Sequence, residues 1–258
     1  MKKVIAFDVD DTLVKSKNPL TDEMRDLLLQ LLEKYEVVII SGSRFEVFEE
    51  NIIKPLHTKS AKLLEHMHIM PTCGTRYYTY DAEVKTWGII YAEDFTEEEK
   101  RHIIKVSERL TKKAGLWPEE PHGEVIEDRL SQIAISMMGQ KAPAEVKYEW
   151  YAKNNEEAIR LRNAIAEELP EYEVRNGGTT TIDITPKGVD KAYGMQKLIE
   201  QLGVMKEEVL FIGDRLEEGG NDYPVKAMGV DCIDVDGYQT TPYVVRGILG
   251  VTELTIAK

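Results

Sequence analysis

Apolar residues near the N-terminus follow two alternating patterns. One near-continuous apolar run of strand length ends at Val9, and a second occupies residues 37–40. Unbroken runs of this kind are typical of parallel strands that are buried on both faces. Between them, apolar residues recur at three- and four-residue steps from the helix-capping residue Thr21 to Tyr35, which indicates an amphipathic helix. Its apolar face consists of Met24, Leu27, Leu28, Leu31 and Leu32. The order strand, helix, strand predicts a βαβ unit.

The same alternation returns in the last quarter of the chain. Residues 195–202 carry apolar side chains on one helical face, and Gly203 follows as a suitable C-terminal cap. Residues 209–212 form another apolar strand, which ends in Gly213 and Asp214. Together with the N-terminal unit, this segment predicts a single α/β core built on a Rossmann-like parallel sheet.

The residues between these two segments have a different pattern. Thr96 and Glu99 have the spacing of a capping box, and an apolar helical face follows them. Strand-like alternation occupies residues 125–138, and Asn176-Gly177-Gly178 predicts a hairpin turn between residues 172–174 and 179–185. A second helical face lies between these strands, at Ala158, Leu161, Ile165 and Leu169. We therefore expect residues 83–187 to form an inserted α+β domain, a lid over a discontinuous core of residues 1–82 and 188–258.

Composition and charge narrow the class of protein. The chain has 258 residues, and at roughly 150 residues per domain this length favours two domains. Hydrophobic residues make up 42% and charged residues 31%, as in folded globular proteins. The net charge of -13 argues against a nucleic-acid partner, because acidic surfaces repel phosphate backbones. No apolar run approaches the roughly 20 residues that a bilayer requires, and the first residues do not resemble an export signal. We expect a cytoplasmic protein without membrane contact.

The cysteines and histidines do not form a recognisable metal or disulfide pattern. Cys73 and Cys232 are too few and too far apart for a disulfide framework or a thiolate zinc site, so we expect reduced structural thiols. His66 and His68 lie two residues apart without a further partner at ligand spacing. We expect these two histidines to be packed or solvated rather than bound to a metal.

Carboxylates follow the first predicted strand, in the sequence Asp8-Val9-Asp10-Asp11-Thr12. Two carboxylates that lie two residues apart at the end of a strand point to the same side and repel one another unless a cation lies between them. Mg²⁺ prefers such oxygen ligands, especially beside a phosphate. The alternative interpretation is a strand that simply ends in a polar turn.

Three further polar segments fall at strand ends or at the start of the following helix. Ser41-Gly42-Ser43-Arg44 follows the second strand, where small residues allow an anion to approach the backbone. Lys191 opens a helix and could reach a phosphoryl oxygen. Asp214 follows the last strand, and Gly219-Gly220-Asn221-Asp222 comes soon after it. Each segment alone has an ordinary alternative, a turn or a surface lysine.

In chain order these segments read Asp-x-Asp-x-Thr, Ser, Lys and Gly-Asp…Asn-Asp. This order resembles the haloacid dehalogenase superfamily of phosphoryl-transfer enzymes. Because the insertion lies between the second and third segments, the chain resembles the type with a large α/β cap (HAD-IIB).

The similarity to the eukaryotic-type phosphomannomutase family extends further. Residues 41–46 are similar to that family's Gly-Gly-Ser-Asp-Phe-Glu, residues 213–222 keep its Gly-Asp…Gly-Gly-Asn-Asp loop, and residues 177–191 keep its Gly-Gly…Asp…Pro…Gly…Asp-Lys pattern.

The resemblance implies a role for each candidate residue of the core. Asp8 would be the nucleophile that forms an aspartyl phosphate, and Asp10 would be the general acid and base. Thr12, Ser41 and Lys191 would bind the phosphoryl oxygens, beside Gly42. The Mg²⁺ ligands would be Asp8, the backbone carbonyl of Asp10 and Asp214, supported by Asn221 and Asp222.

The resemblance also extends into the inserted domain, with two departures. Glu127-Asp128-Arg129, Ser136 and Gly139 are in step with a cap segment of the phosphomannomutase family. That family has asparagine where this chain has Leu130, and a second arginine where it has Gln140. The cap candidates for substrate binding are then Arg129, Ser136, Thr181 and Asp183, although Arg129 could also be an ordinary surface arginine.

A mutase must hold a sugar bisphosphate in two orientations, which requires a firm second phosphate site. The loss of the second arginine therefore favours a Mg²⁺-dependent phosphatase acting on a small phosphorylated metabolite, and the expected substrate is a sugar phosphate. A phosphohexomutase is the first alternative, and a non-catalytic protein that binds a phosphorylated ligand is the second. The resemblance also implies that two copies could pair through their caps.

Overall fold

The computed structural model describes residues 1–16, 18–56, 61–177 and 179–256. Residues 1–92 and those from 190 onward form one compact unit, and Glu93–Val189 form a second. The strands, in chain order, are β1 (Val4–Phe7), β2 (Glu36–Ile40), β3 (Met67–Met70), β4 (Arg76–Asp81), β5 (Thr86–Ala92), β6 (Ile126–Asp128), β7 (Ile133–Ser136), β8 (Tyr172–Asn176), β9 (Thr181–Pro186), β10 (Val209–Gly213) and β11 (Asp231–Asp234). The α-helices are α1 (Asp22–Leu32), α2 (Phe45–Phe48), α3 (Lys54–Leu56), α4 (Glu97–Lys113), α5 (Ala144–Glu168), α6 (Lys191–Leu202), α7 (Tyr223–Ala227) and α8 (Thr241–Ile256).

The first unit contains a seven-stranded sheet in the order β11-β10-β1-β2-β3-β4-β5. The five strands from β11 to β3 are parallel, and β4 and β5 extend the sheet as an antiparallel hairpin. Every residue of β1 is buried, because apolar side chains cover both faces of the sheet at this central position. The α/β class and the parallel core sheet predicted from the sequence are confirmed.

The predicted helix boundaries of the core are largely observed. The side chain of Thr21 accepts a hydrogen bond from the Met24 amide and starts α1, which ends at Leu32 rather than at Tyr35. Asp190 caps α6 in the same way, by accepting from the Tyr193 amide. Gly203 ends α6 with a φ of 62°, a left-handed conformation that glycine adopts at low cost.

The second unit contains an antiparallel sheet in the order β6-β7-β9-β8. One face of this sheet carries isoleucines of β7 and β9 that pack against α4 and α5 in a separate hydrophobic core. Thr96 and Glu99 form the predicted capping box at the start of α4. The predicted hairpin of β8 and β9 is present, with Asn176 opposite Ile182, while Gly178 of its turn lies outside the described residues.

The observed division between the units differs from the expected boundaries at residues 83 and 187. Strand β5 pairs with β4 and belongs to the sheet of the first unit, so the division falls after Ala92 and after Val189. The sequence pattern of β5 did not indicate this pairing. Strand β5 lies at the sheet edge, where Ile89 and Ile90 remain exposed, so it lacks the buried apolar pattern of a central strand. None of the described helices is long and apolar enough to cross a membrane.

Candidate active site

Three parallel strands bring the predicted core residues to one edge of the sheet. Phe7, the last residue of β1, is in register with Ile39 of β2 and Ile212 of β10. Asp8, Ser41 and Asp214 each follow the end of one of these strands. The carboxyl ends of adjacent parallel strands open onto the same side of a sheet, which is where open α/β sheets bind ligands.

A buried ionic cluster occupies this edge. Lys191, the first residue of α6, donates from Nζ to the Asp8 carboxylate and to Oδ1 of Asp222, the latter at 2.5 Å. The side chains of Lys191, Asp8 and Asp222 are only 1%, 5% and 0% exposed. Thr12 donates from Oγ1 to Oδ1 of Asp214 at 3.1 Å, which adds these two residues to the same cluster. Residues as far apart in the sequence as Asp8 and Asp222 therefore meet at one place.

Two glycines allow the loop after β10 to fold back into this cluster. A Cβ on Gly213 would lie 2.4 Å from Oδ2 of Asp222, and a Cβ on Gly220 would lie 2.1 Å from the Arg215 carbonyl. The Arg215 amide donates to Oδ2 of Asp222 at 3.2 Å and closes the loop. Asp222 thus reaches the buried cluster, whereas the neighbouring Asn221 is exposed.

Burial sets the electrostatics of the cluster. Desolvation raises the pKa of Asp8 well above its usual range, although the attraction of Lys191 opposes this, and Asp222 raises it further. Burial likewise raises the pKa of Asp214. Burial acts to lower the pKa of Lys191, but attraction to Asp8 and Asp222 outweighs it and holds that pKa above its ordinary value. Lys191 therefore stays positively charged in the site.

The cluster fits a divalent cation. One carboxylate oxygen from each of Asp8, Asp214 and Asp222 lies within 4.8 Å of the others. These three carboxylates face a single ammonium group, so a divalent cation would balance the charge of the site. Carboxylate oxygens are also the donor atoms that Mg²⁺ prefers.

The turn after β1 places Asp10 and Thr12 beside this cluster. The carbonyl of Val9 accepts hydrogen bonds from the amides of Thr12, Leu13 and Val14. Asp11 has a left-handed backbone with a φ of 58°, which is uncommon outside glycine and often found at functional sites. Asp10 is half-buried, and its charge contributes to the raised pKa of Asp8.

The segment after β2 is held by its own backbone and by the loop after β3. The Ser41 hydroxyl oxygen is buried and accepts from the Ser43 amide at 3.2 Å. The Cys73 amide donates to the Ser41 carbonyl at 2.9 Å, and the Thr72 amide donates to the Ser43 carbonyl at 3.0 Å. Gly42 lies between these anchored residues.

The predicted cap residues share the second face of the four-stranded sheet, opposite the isoleucines. Ser136 is directly opposite Thr181, and Asp183 lies two residues further along β9 on the same face. Arg129 donates from Nε to Oε2 of Glu127 at 2.7 Å, and its Nη1 lies 3.8 Å from Oδ1 of Asp183. The structure thus groups all four candidates within the second unit, and Arg129 is not an ordinary surface arginine, since its side chain is 13% exposed.

Gln140 lies beside Arg129, at the position where the resemblance implies a second arginine. Nη2 of Arg129 and Oε1 of Gln140 are 3.5 Å apart. Burial raises the pKa of Asp183, and Arg129 opposes this shift. Within the described residues, Oγ of Ser136 and Oγ1 of Thr180, the residue before Thr181, are buried without a hydrogen-bond partner. Unpaired buried hydroxyls of this kind are uncommon, and a bound ligand is one way to satisfy them.

Two polar groups of the first unit were not predicted. His66 and His68 both bond to Glu36, at 3.0 and 2.8 Å, and His68 also bonds to the buried Tyr77 hydroxyl. Glu36 precedes both histidines by some thirty residues, so their spacing alone could not indicate it. In the second group, Thr241 donates to the Thr12 carbonyl at 2.6 Å. No sequence signal singles out Thr241.

Comparison with known proteins identifies the family. Residues 5–224 match the family described as haloacid dehalogenase-like hydrolase. The phosphomannomutase of Encephalitozoon cuniculi is 26% identical over 234 residues, which cover 87% of this chain and 84% of that protein. The phosphomannomutase of Saccharomyces cerevisiae is 27% identical over 227 residues, which cover 86% and 84%.

Solved structures share the fold. A C-terminally truncated Plasmodium falciparum IMP-nucleotidase superposes with a TM-score of 0.71 at 20% identity, covering 96% of this chain and 71% of that one. A haloacid dehalogenase-like hydrolase from Bacteroides thetaiotaomicron gives a TM-score of 0.63 at 16% identity, covering 96% and 100%. The family match includes every residue of the buried cluster from Asp8 to Asp222, and the chain therefore belongs to the haloacid dehalogenase-like hydrolases.

Proposed function

We propose that this enzyme is a Mg²⁺-dependent phosphatase that hydrolyses the phosphate ester of a small metabolite, a sugar phosphate. The observation that carries the proposal is the buried Lys191, which bonds to Asp8 and Asp222 at the carboxyl edge of the sheet. Phosphoryl transfer requires a nucleophile next to positive charge and a bound cation. Here Asp8 is the potential nucleophile, Lys191 carries positive charge, and the carboxylate cluster can hold the cation.

The reaction has two half-reactions. In the first, a carboxylate oxygen of Asp8 attacks the phosphorus atom while the bond between phosphorus and the ester oxygen breaks. Asp10 donates a proton to that departing oxygen, so the sugar leaves as an alcohol. In the second, the ionised Asp10 takes a proton from water as the water oxygen attacks phosphorus and the bond to Asp8 breaks. This step releases orthophosphate and regenerates Asp8.

The remaining residues bind and orient the phosphoryl group. Lys191 neutralises the equatorial oxygens, the hydroxyls of Thr12 and Ser41 donate to them, and Gly42 leaves room for the backbone to approach. Asp8, Asp214 and the backbone carbonyl of Asp10 would hold Mg²⁺, with Asp222 and Asn221 in support. When bound, the ion supplies positive charge that stabilises the transferring group and offsets the repulsion between the phosphate and the carboxylates.

A phosphohexomutase is the second candidate, which the names of the relatives favour. It would use Asp8 and Asp10 in the same way, but a second sugar hydroxyl would receive the phosphoryl group instead of water. The charge of the cap argues for hydrolysis. Arg129 is paired with Glu127 and faces Asp183, and Gln140 adds no charge, so little positive charge remains for a second phosphate.

One assay separates these two functions. Orthophosphate release from mannose 6-phosphate is measured with Mg²⁺, in the presence and absence of a hexose 1,6-bisphosphate. We expect release that does not depend on the bisphosphate. Isomerisation that requires the bisphosphate, without net release, would establish the mutase and overturn the phosphatase. The same assay over a panel of phosphorylated metabolites would then identify the substrate.

The third candidate is a protein that only binds a phosphorylated ligand, and two variants distinguish it from an enzyme. Asp8→Asn removes the nucleophile, so we expect phosphatase activity to fall by about a thousandfold or more while the circular dichroism spectrum is retained. Asp10→Asn removes the acid and base, and we expect kcat to fall by about a hundredfold with little change in ligand affinity. Asp26→Asn, at an exposed position of helix α1, is the control and should keep full activity. Unchanged rates in both site variants would refute the assignment.

A further inference from the structure

We propose that Thr241, the first residue of α8, is a positioning residue for the phosphoryl-transfer site. Its hydroxyl holds the carbonyl of Thr12, and through it the turn that carries Asp10 and Thr12. This inference rests on the proposed function, since it assigns Thr241 a role in holding the catalytic residues at fixed positions relative to one another. These residues are the nucleophile, the acid and base, and the Mg²⁺ ligands.

The contact is short, buried and between distant parts of the chain. Thr241 Oγ1 donates to the Thr12 carbonyl at 2.6 Å, and the two residues are separated by 229 positions. Both are 0% exposed, so water cannot replace the hydroxyl as a donor. A buried carbonyl that loses its donor carries the full cost of desolvation, and the backbone shifts to avoid that cost.

Through Thr12, the bond from Thr241 is connected to Asp214, one of the proposed metal-binding carboxylates. Thr12 accepts from Thr241 through its carbonyl and donates from its own Oγ1 to Oδ1 of Asp214 at 3.1 Å. A shift of the Thr12 backbone would therefore weaken the bond that orients Asp214. The carbonyl of Asp10, two residues earlier in the same turn, would move as well.

The turn depends on external support because its own conformation is costly. Asp11, between Asp10 and Thr12, has a φ of 58°, and such residues persist only where their surroundings hold them. The Thr241 bond contributes to those surroundings, because it holds the carbonyl of Thr12, the residue directly after Asp11.

The test compares variants of Thr241 in the full-length protein. Thr241→Val keeps the shape but removes the donor, Thr241→Ser keeps the donor, and Thr241→Ala removes both the donor and a methyl group. The measurements are kcat and KM for p-nitrophenyl phosphate with saturating Mg²⁺, Mg²⁺ affinity by isothermal titration calorimetry, and thermal unfolding. We expect Thr241→Val to lower kcat and Mg²⁺ affinity by about tenfold each, with a smaller change in KM. Thr241→Ser should restore both to within about twofold of the original protein.

Thr240 offers a matched control in the same loop. Its Oγ1 donates to the Gly237 carbonyl at 2.8 Å, a local bond that does not reach the turn after β1. Thr240→Val should therefore leave kcat and Mg²⁺ affinity unchanged. If Thr241→Val does not fold, the difference between Thr241→Ser and Thr241→Ala isolates the hydroxyl in the same way.

Either of two results with the variants would overturn the inference: Thr241→Val behaving like Thr240→Val, or Thr241→Ser being as impaired as Thr241→Val. The calorimetry separates this inference from the proposed function. If the original protein binds Mg²⁺ but releases no orthophosphate, the phosphatase proposal fails. In that case the Mg²⁺ affinities of the Thr241 variants alone test the positioning role. If the original protein does not bind Mg²⁺, the positioning role fails as well.

Discussion

At the scale of single residues, two left-handed conformations have different origins. Asp11 has its unusual φ of 58° in the turn that carries the proposed acid and base, next to the buried ionic cluster. Leu130 has a φ of 70° in the cap, where the phosphomannomutase pattern has asparagine. Its amide donates to Oδ1 of Asp128 at 2.7 Å, and its carbonyl accepts from Phe95 at 3.0 Å, so this conformation is anchored. Asparagine tolerates the left-handed region better than leucine.

We therefore expect Leu130→Asn to stabilise the protein. The leucine side chain is 38% exposed, so its replacement loses little packing, and the relief of backbone strain should raise the free energy of unfolding by about 1 kcal/mol. Urea unfolding measures this change. Ile159→Asn is the matched control, because Ile159 is also 38% exposed but lies within helix α5, where asparagine is the poorer helix former. Equal destabilisation by both variants would contradict the expectation.

At the scale of elements, helix α6 and the loop after β3 approach so closely that both need glycine. A Cβ on Gly74 would lie 2.4 Å from the Cα of Gly194, and a Cβ on Gly194 would lie 2.6 Å from the Cys73 carbonyl. The same loop donates the Cys73 amide to the Ser41 carbonyl. This glycine contact therefore sets the position of α6, and of Lys191 at its start, relative to the segment after β2.

Gly194→Ala should disturb both stability and the site. The added methyl group has no space against backbone atoms, so we expect a loss of about 2 kcal/mol in the free energy of unfolding and a lower kcat, because α6 must move and Lys191 moves with it. Gly247→Ala makes the same change in helix α8, where a Cβ would meet no atom within 4 Å, and it should be neutral or stabilising. The measurements are chemical unfolding and steady-state kinetics. A Gly194→Ala protein as stable and active as Gly247→Ala would refute the packing argument.

At the scale of the whole molecule, the two units have separate hydrophobic cores. The core of the second unit draws on α4, α5 and all four strands of its own sheet. Its residues form one continuous segment, Glu93–Val189. An antiparallel sheet covered on one face by two helices is a complete layer arrangement and does not require apolar residues from elsewhere.

We expect residues 93–189 to fold when expressed alone. The segment has about the usual length of a single domain, and its helix α4 begins with the local capping box of Thr96 and Glu99. The prediction is a cooperative thermal transition by circular dichroism and dispersed amide signals in a heteronuclear NMR spectrum. A companion protein with Ile135→Asp, which places a charge in the same core, should lose both features. A segment that shows neither feature without this substitution would contradict the expectation.

Local patterns in the sequence determined much of the fold and the order of the candidate site residues. The unbroken apolar runs predicted β1, β2 and β10 because strands buried on both faces need apolar side chains at every position. Thr21 and Thr96 marked helix starts because their hydroxyls satisfy amides only a few residues away. The order of the polar segments placed Asp8, Ser41, Lys191 and Asp214 at strand ends or helix starts.

Tertiary structure alone decided the contacts that make these residues a site. These contacts join residues that lie between 30 and 229 positions apart. They are the bonds of Lys191 to Asp8 and Asp222, of Glu36 to two histidines, and of Thr241 to Thr12. The edge position of β5, and with it the division after Ala92, depended in the same way on pairing with β4. Periodicity records which side of an element is buried, but it carries no information about which distant segment covers that side. Packing of the whole chain makes that choice.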